Sequence, residues 1–223
     1  HELRNPLSAM DLNLHLLEQE LREPAPVTSR TAHYLVVLNA ECRRLSAILD
    51  NFMKFARPSS LQAHDVNVHR VIEHIVALMQ FEAQEHKIHL DYTIEKDLPP
   101  VLGDETQISQ VLVNVIVNAF HAMAEGGRCH LAATTCTTDG KCWVEISVRD
   151  TGVGIPGEAM PRLFDPFYTT KPGGSGLGLA IAYRIMQDHG GLISVSSVPG
   201  SGTSVGLRFP TLVAYPQELE ARS

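Results

Sequence analysis

Two heptad stripes separated by a proline-interrupted break constrain this chain more than any other feature. Leu3, Leu7, Met10, Leu14, Leu17 and Leu21 recur at alternating spacings of four and three, which aligns them on one stripe of an α-helix. Leu35, Leu38, Cys42, Leu45, Leu49 and Phe52 follow the same rule. Between the stripes, Arg22-Glu23-Pro24-Ala25-Pro26 stops the helix, because proline lacks the backbone donor and its ring clashes with the preceding turn. The pattern predicts an antiparallel helical hairpin. A lone hairpin leaves Leu12, Leu16, Val36 and Ile48 beside its seams without cover. Twofold pairing of two hairpins into a four-helix bundle covers them; packing of one hairpin on a neighbouring domain is the alternative.

The heptads end at Arg57-Pro58-Ser59-Ser60, which reads as a linker. A helix is predicted from about Val66 to Glu85, a strand from Ile88 to Ile94 and a helix from about Glu105 to Ala124. Strands at Cys129 to Cys136 and Cys142 to Val148 flank a turn at Asp139-Gly140. A helix from Leu177 to Gln187 and strands at Leu192 to Ser197 and Ser204 to Phe209 complete the unit. The uneven alternation favours an α+β layer of helices on one sheet face. The expected division is 1–57 for the hairpin, 61–212 for the α+β domain and 213–223 for a tail.

Lys and Arg number 18 against 25 Asp and Glu, a net charge of −7, so no nucleic-acid partner is expected. No apolar stretch approaches the roughly 20 residues of a membrane span, so these residues are expected to make no membrane contact. Four irregularly spaced cysteines do not form a disulfide framework, and reduced thiols in a cytoplasmic setting are expected. Because the chain opens at His1 inside a helical pattern, it is read as a fragment. An upstream extension is expected to raise its activity by stiffening that first turn.

The chemistry-bearing residues gather in four places. Asn114 and Asn118 interrupt an otherwise apolar run, Val111 to Ala119; at i and i+4 their amides share one face. Read as buried, they either hydrogen-bond neighbouring backbone or offer carbonyl oxygens to a hydrated Mg²⁺ and nucleotide phosphates. Of 16 glycines, 12 lie between Gly152 and Gly206. Asp150-Thr151-Gly152-Val153-Gly154 follows a strand, so an acceptor-only carboxylate sits beside bare backbone, suited to an exocyclic amine such as that of adenine. Gly173-Gly174-Ser175-Gly176-Leu177-Gly178-Leu179 opens a helix, either as a tight turn or as a phosphate cradle. The proline-rich stretch from Ile155 to Pro172 reads as a nucleotide lid, with an idle loop as the alternative; Phe164, Phe167 and Tyr168 would anchor it and Lys171 gives it a charge. Finally, His1 is a candidate nucleophile with Glu2 to orient it and take its proton; alternatively Asn5-Pro6 starts the helix and His1 is an ordinary exposed residue.

Taken in order, these segments resemble the boxes of two-component sensor histidine kinases. His1-Glu2-Leu3-Arg4-Asn5-Pro6-Leu7 is similar to the phosphoacceptor box and Asn114 with Asn118 to the N box. Asp150 to Gly154 and Gly174 to Leu179 are similar to the two glycine boxes, Leu163-Phe164-Asp165-Pro166-Phe167 to the F box, and Gly200-Ser201-Gly202-Thr203 to the last glycine motif. Phe55-Ala56-Arg57-Pro58 and the Asn118 to Met123 run resemble the nitrogen-regulation subgroup. The resemblance implies a homodimeric histidine-phosphotransfer bundle followed by a Bergerat-type α/β sandwich that binds ATP and Mg²⁺. His1 would accept the γ-phosphoryl group, Glu2 the imidazole proton, and a response-regulator receiver domain the phosphoryl group in turn. Asn5 would orient water for dephosphorylation of that partner. The nucleotide would meet Asn114, Asn118, His121, Asp150, Gly152, Gly154, Lys171, Gly174, Ser175, Gly176, Leu177, Gly178, Leu179 and Thr203. Mg²⁺ would fall to Asn118, with Asn114 as a second candidate.

One departure stands out: His121 occupies a position where many relatives carry lysine. The competing reading is another Bergerat-superfamily ATPase or a protein-serine kinase. Those hydrolases carry glutamate where Asn114 stands, and an amide cannot accept a proton from water. His64, His69, His74, His86 and His89 read as solvated surface groups rather than a metal site, and Cys129, Cys136 and Cys142 as ordinary or core thiols.

Overall fold

The computed structural model describes residues 4–22, 29–56, 61–138, 140–170 and 175–211. Two compact units emerge, one of residues 1–59 with 169–177 and one of residues 60–168 with 178–223.

In the first unit, α1 (Arg4–Arg22) and α2 (Ser29–Ala56) form the hairpin. Helix α1 includes Asn5 and Pro6; proline is tolerated in a first turn because first-turn amides have no intrahelical partner. Residues 1–3, on which the choice of helix start turns, lie outside the described residues. The two stripes meet where the Cys42 thiol approaches Met10 Sδ at 3.6 Å. Other stripe members remain outside: Leu14, Leu35 and Leu49 are exposed, as are Leu12 and Val36 beside them. The linker predicted at 57–60 lies outside the described residues.

The second unit begins with β1 (His64–Val66), α3 (Val68–Glu85), β2 (Ile88–Ile94), β3 (Val101–Gly103) and α4 (Glu105–Ala122). It continues with β4 (Gly127–Thr138), β5 (Lys141–Asp150), a 3-10 turn at Met160–Arg162, α5 (Gly178–Asp188), β6 (Leu192–Val198) and β7 (Gly202–Pro210). Caps explain the helix starts. Asn67 accepts from the Arg70 amide at 3.2 Å, and Asp104 accepts from Thr106 and Gln107 at 2.9 and 3.2 Å, each satisfying first-turn donors. The predicted helix limits therefore move inward to Val68 and Ala122. β1 and β3 escaped prediction because three-residue strands carry no readable alternation; they pair antiparallel with each other.

The main sheet has the order β2-β4-β5-β7-β6. Only β2 and β4 run parallel, in the register Ile88 to Gly127; the other neighbours are antiparallel. A parallel pair needs a crossover, and α4 supplies it. Along β5, Cys142, Val144, Ile146, Val148 and Asp150 are the buried set at period two. They face the same core as Ile108, Val111, Leu112, Val115, Ile116, Ala119 and Phe120 of α4. Asp150 is thus the last of a core-facing row, a carboxylate where the apolar layer ends.

Candidate functional site

Asp150 is 5% exposed. Its Oδ1 accepts from the amide of Gly152 at 2.8 Å and from that of Thr203 at 3.1 Å. The carboxylate is therefore held by backbone of two separate chain segments. Close approach requires glycine around it. A Cβ on Gly202, at φ +98°, would stand 2.0 Å from the Asp150 carbonyl oxygen, and one on Gly154, at φ +70°, 2.3 Å from that of Val198. Both positions combine a left-handed backbone with contact that no side chain fits.

The end of α4 is tied to the same loop. Val153 donates to the Ala122 carbonyl at 3.1 Å, and a Cβ on Gly152 would lie 2.6 Å from that oxygen. Arg128 donates its amide to Thr151 Oγ1 at 3.0 Å, and the hydroxyl of Thr151 reaches Met123 Sδ at 3.7 Å. His121 is exposed in the last turn of α4, where a cation would complement the helix C-terminus.

The expectation of buried asparagines needs correction. Asn114 and Asn118 are only half-buried, on the flank of α4 opposite its core-facing row. Asn114 Nδ2 donates to the Gly178 carbonyl at 3.1 Å. The Asn118 amide reaches the same residue: a Cβ on Gly178 would meet Asn114 Oδ1 and Asn118 Nδ2, each at 3.9 Å. Two amides spaced by one helical turn thus converge on the first residue of α5. The backbone-bonding alternative is satisfied for Asn114, and half-exposure leaves this flank open to a ligand as well. Ser175 Oγ accepts from the Leu177 amide at 3.4 Å, Gly176 has φ +63°, and Leu179 lies in the first turn of α5. Lys171 and Gly174 lie outside the described residues, as do His1 and Glu2; Asn5 lies in α1 and its side chain is outside those described.

The stretch after Gly154 is anchored differently from expectation. Phe164 packs on Tyr183 of α5 with ring centroids 4.9 Å apart. Arg162 lies 4.3 Å over the Tyr168 ring and 3.5 Å from Asp165. Phe167 is not an anchor: it sits at φ +65° and is 46% exposed, because the left-handed turn at this residue directs it away from the core.

Two contributors carried no sequence signal. Ser197 Oγ accepts from the Ile155 amide at 2.8 Å and donates to the Gly202 carbonyl at 3.0 Å. His189, 6% exposed, accepts at Nε2 from the Asp104 amide at 3.0 Å, and its Nδ1 lies 2.8 Å from the Ile185 carbonyl. Donation from Nδ1 leaves Nε2 as the acceptor of the Asp104 amide. It joins the end of α5 to the start of α4. Cys129, opposite Asp150 across the β4–β5 ladder, is fully buried. Burial first, then the charges of Asp150 and Asp91, push its thiol up to about 12, so it stays protonated and unreactive. Among the described residues no group of three or more His, Cys, Asp and Glu is arranged to hold a metal ion.

Residues 1–61 match the family model described as the His Kinase A phospho-acceptor domain, and residues 103–213 the one described as the histidine kinase-, DNA gyrase B- and HSP90-like ATPase. The chain belongs to the sensor histidine kinases. Within this family it is 32% identical over 212 residues to the sensor histidine kinase ZraS of Salmonella typhimurium, covering 95% of this chain and 44% of that protein. It is 33% identical over 211 residues to sporulation kinase A of Bacillus subtilis, covering 94% and 33%. The full-length histidine kinase ShkA, solved in complex with AMPPNP, superposes with a TM-score of 0.72 at 27% identity, over 97% of this chain and 45% of that one. The kinase chain described here therefore spans less than half the length of these relatives. Its α+β unit is the ATP-binding Bergerat fold, and among the described residues no helix is long and apolar enough to cross a membrane.

Proposed function

We propose that this chain is the transmitter core of an ATP-dependent protein-histidine autokinase, with 1–57 as the dimerisation and phosphotransfer hairpin, 61–212 as the catalytic domain and 213–223 as a tail. The observations that support this most are the Asp150 carboxylate, held by Gly152 and Thr203, and the Asn114 amide bonded to the Gly178 carbonyl with Asn118 beside it. Asp150 is an acceptor for the adenine amine, with Thr203 fixing its orientation and Gly152 and Gly154 leaving room for the base. The amide oxygens of Asn118 and Asn114 suit a hard, hydrated Mg²⁺, which when bound would neutralise phosphate charge. His121, Lys171 and the 174–179 segment are assigned to the phosphates.

In the transfer, the His1 ring nitrogen bonds to the γ-phosphorus as the bond from that phosphorus to the bridging oxygen breaks. ADP carries away the electron pair, and Glu2 takes the imidazole proton. Positioning and charge neutralisation supply most of the acceleration in such loose transition states. The phosphoryl group then passes to an aspartate of a response-regulator receiver domain, and Asn5 orients water in the reverse dephosphorylation. The exposed Leu14, Leu35 and Leu49 support a homodimer, since a second hairpin would cover them.

Incubation with γ-labelled ATP tests this reading. Acid-labile, base-stable label on the protein is the expected result. Acid-stable label would establish a serine kinase, and free phosphate alone an ATPase. Asn114 speaks against the ATPase, because its amide nitrogen is engaged by Gly178 and an amide takes no proton from water.

A further inference from the structure

We propose that Ser197 is a positioning residue for the nucleotide site, clamping the root of the 155–170 loop to the backbone that holds Asp150. This rests on the nucleotide-site reading above. The half-buried Ser197 hydroxyl sits on β6 and makes three contacts. It accepts from the Ile155 amide at 2.8 Å, donates to the Gly202 carbonyl at 3.0 Å and lies 3.0 Å from Thr203 Oγ1. A serine hydroxyl has one proton and two lone pairs; with Thr203 as donor all three are used. Thr203 is also the residue whose amide fixes Asp150 Oδ1.

The neighbouring contacts show why the clamp matters. Gly200 donates its amide to the Val153 carbonyl at 2.8 Å, and Gly154 lies flat against Val198. The loop leaving Asp150 is therefore laid on the β6–β7 turn by backbone alone as far as Gly154. At Ile155, where the loop departs, the next bond is made by a side chain. Ser197 thus couples two parts that a bound nucleotide would touch together: the carboxylate at the floor and the first residue of the loop above it. Among neighbouring strand serines, Ser194 and Ser196 point to the opposite edge of the alternation and are exposed, so the coupling is specific to position 197.

The test uses the full chain with ADP as the probe. For Ser197→Ala the expected results are about tenfold weaker ADP binding by calorimetry, the size of one lost hydrogen bond in a partly buried network, and faster amide exchange at Ile155 and the residues after it. Exchange in the core of α4 should be unchanged, and Ser197→Thr, which keeps the hydroxyl, should restore both readouts. Parent-like affinity and exchange in Ser197→Ala would overturn the proposal. So would exchange that rises evenly through α4 and β5, or a threonine variant that behaves like alanine. If the parent itself binds no ADP, the nucleotide-site reading fails instead, and the exchange at Ile155 still decides whether the clamp exists.

Discussion

Asn114 donates its side-chain amide to the carbonyl of Gly178 at 3.1 Å, across 64 residues of sequence. That bond ties the middle of α4 to the first residue of α5, so a residue we assign to the nucleotide also carries structure. Asn114→Ala is expected to lower unfolding free energy by about 1 kcal/mol, the usual net value of one such bond, and to weaken ATP binding as well. Denaturant titration and calorimetry on the same sample separate the two effects.

Asp150→Asn is expected to behave differently. An asparagine oxygen can still accept from Gly152 and Thr203, so thermal stability should change little. Its NH₂ group presents a donor where the adenine amine also donates, and ATP affinity should fall at least tenfold. An equal loss of melting temperature and affinity would show that the carboxylate serves the fold alone.

The Cys129 thiol, held at about 12 in the folded state, has an unfolded value near 9. Between these values the unfolded chain releases a proton that the folded chain keeps, so stability falls as pH rises from 9 toward 12. Cys129→Ala should flatten this part of the stability profile. In the native protein at pH 8, iodoacetamide should leave the buried Cys129 unmodified until denaturant is added.

Asp91 provides the acid counterpart. His130 bonded to it, with Arg128 adding two further bonds and its charge, holds the carboxyl below its ordinary value although burial opposes this. A lowered folded-state value means stability that is complete above about pH 4 and is lost as pH falls through the folded value. Asp91→Asn should therefore unfold less steeply than the parent as pH falls below about 4, as read by circular dichroism.

His189→Ala should be among the more damaging single changes in the α+β unit. It leaves the Asp104 amide without its acceptor and opens space under Phe209, whose ring lies 6.1 Å away. A loss of about 2 to 3 kcal/mol is expected from the unpaired donor and the cavity together, measured by denaturant unfolding.

Periodicity made the long elements legible: the two hairpin helices, β2 from Ile88 to Ile94 and the helix α4 all appear where the pattern places them. The glycines at 152, 154 and 202 likewise marked places where backbone packs too closely for a side chain beside the strand-end Asp150. Other features left no local trace. The three-residue β1 and β3 are defined by pairing alone, and the half-exposure of Asn114 and Asn118 depends on how α5 flanks α4. Ser197 and His189 act through partners 42 and 85 residues away, which composition and spacing cannot reveal. Phe167 misled because an aromatic in a loop reads as an anchor unless its backbone conformation is known.

The bonds that shape the site have a shared consequence for how it comes into being. Thr203 to Asp150, Asn114 to Gly178 and His189 to Asp104 span 53, 64 and 85 residues. Each closes a long loop whose entropy must be met before the contact rewards it. Helices α3 and α4 can begin locally, but the rim that would receive a nucleotide exists only once β7 has joined the sheet and α5 has docked. A chain interrupted before about residue 203 would therefore lack the site altogether rather than possess a weakened one, and a bound nucleotide would protect the whole α+β unit against unfolding as a single cooperative block.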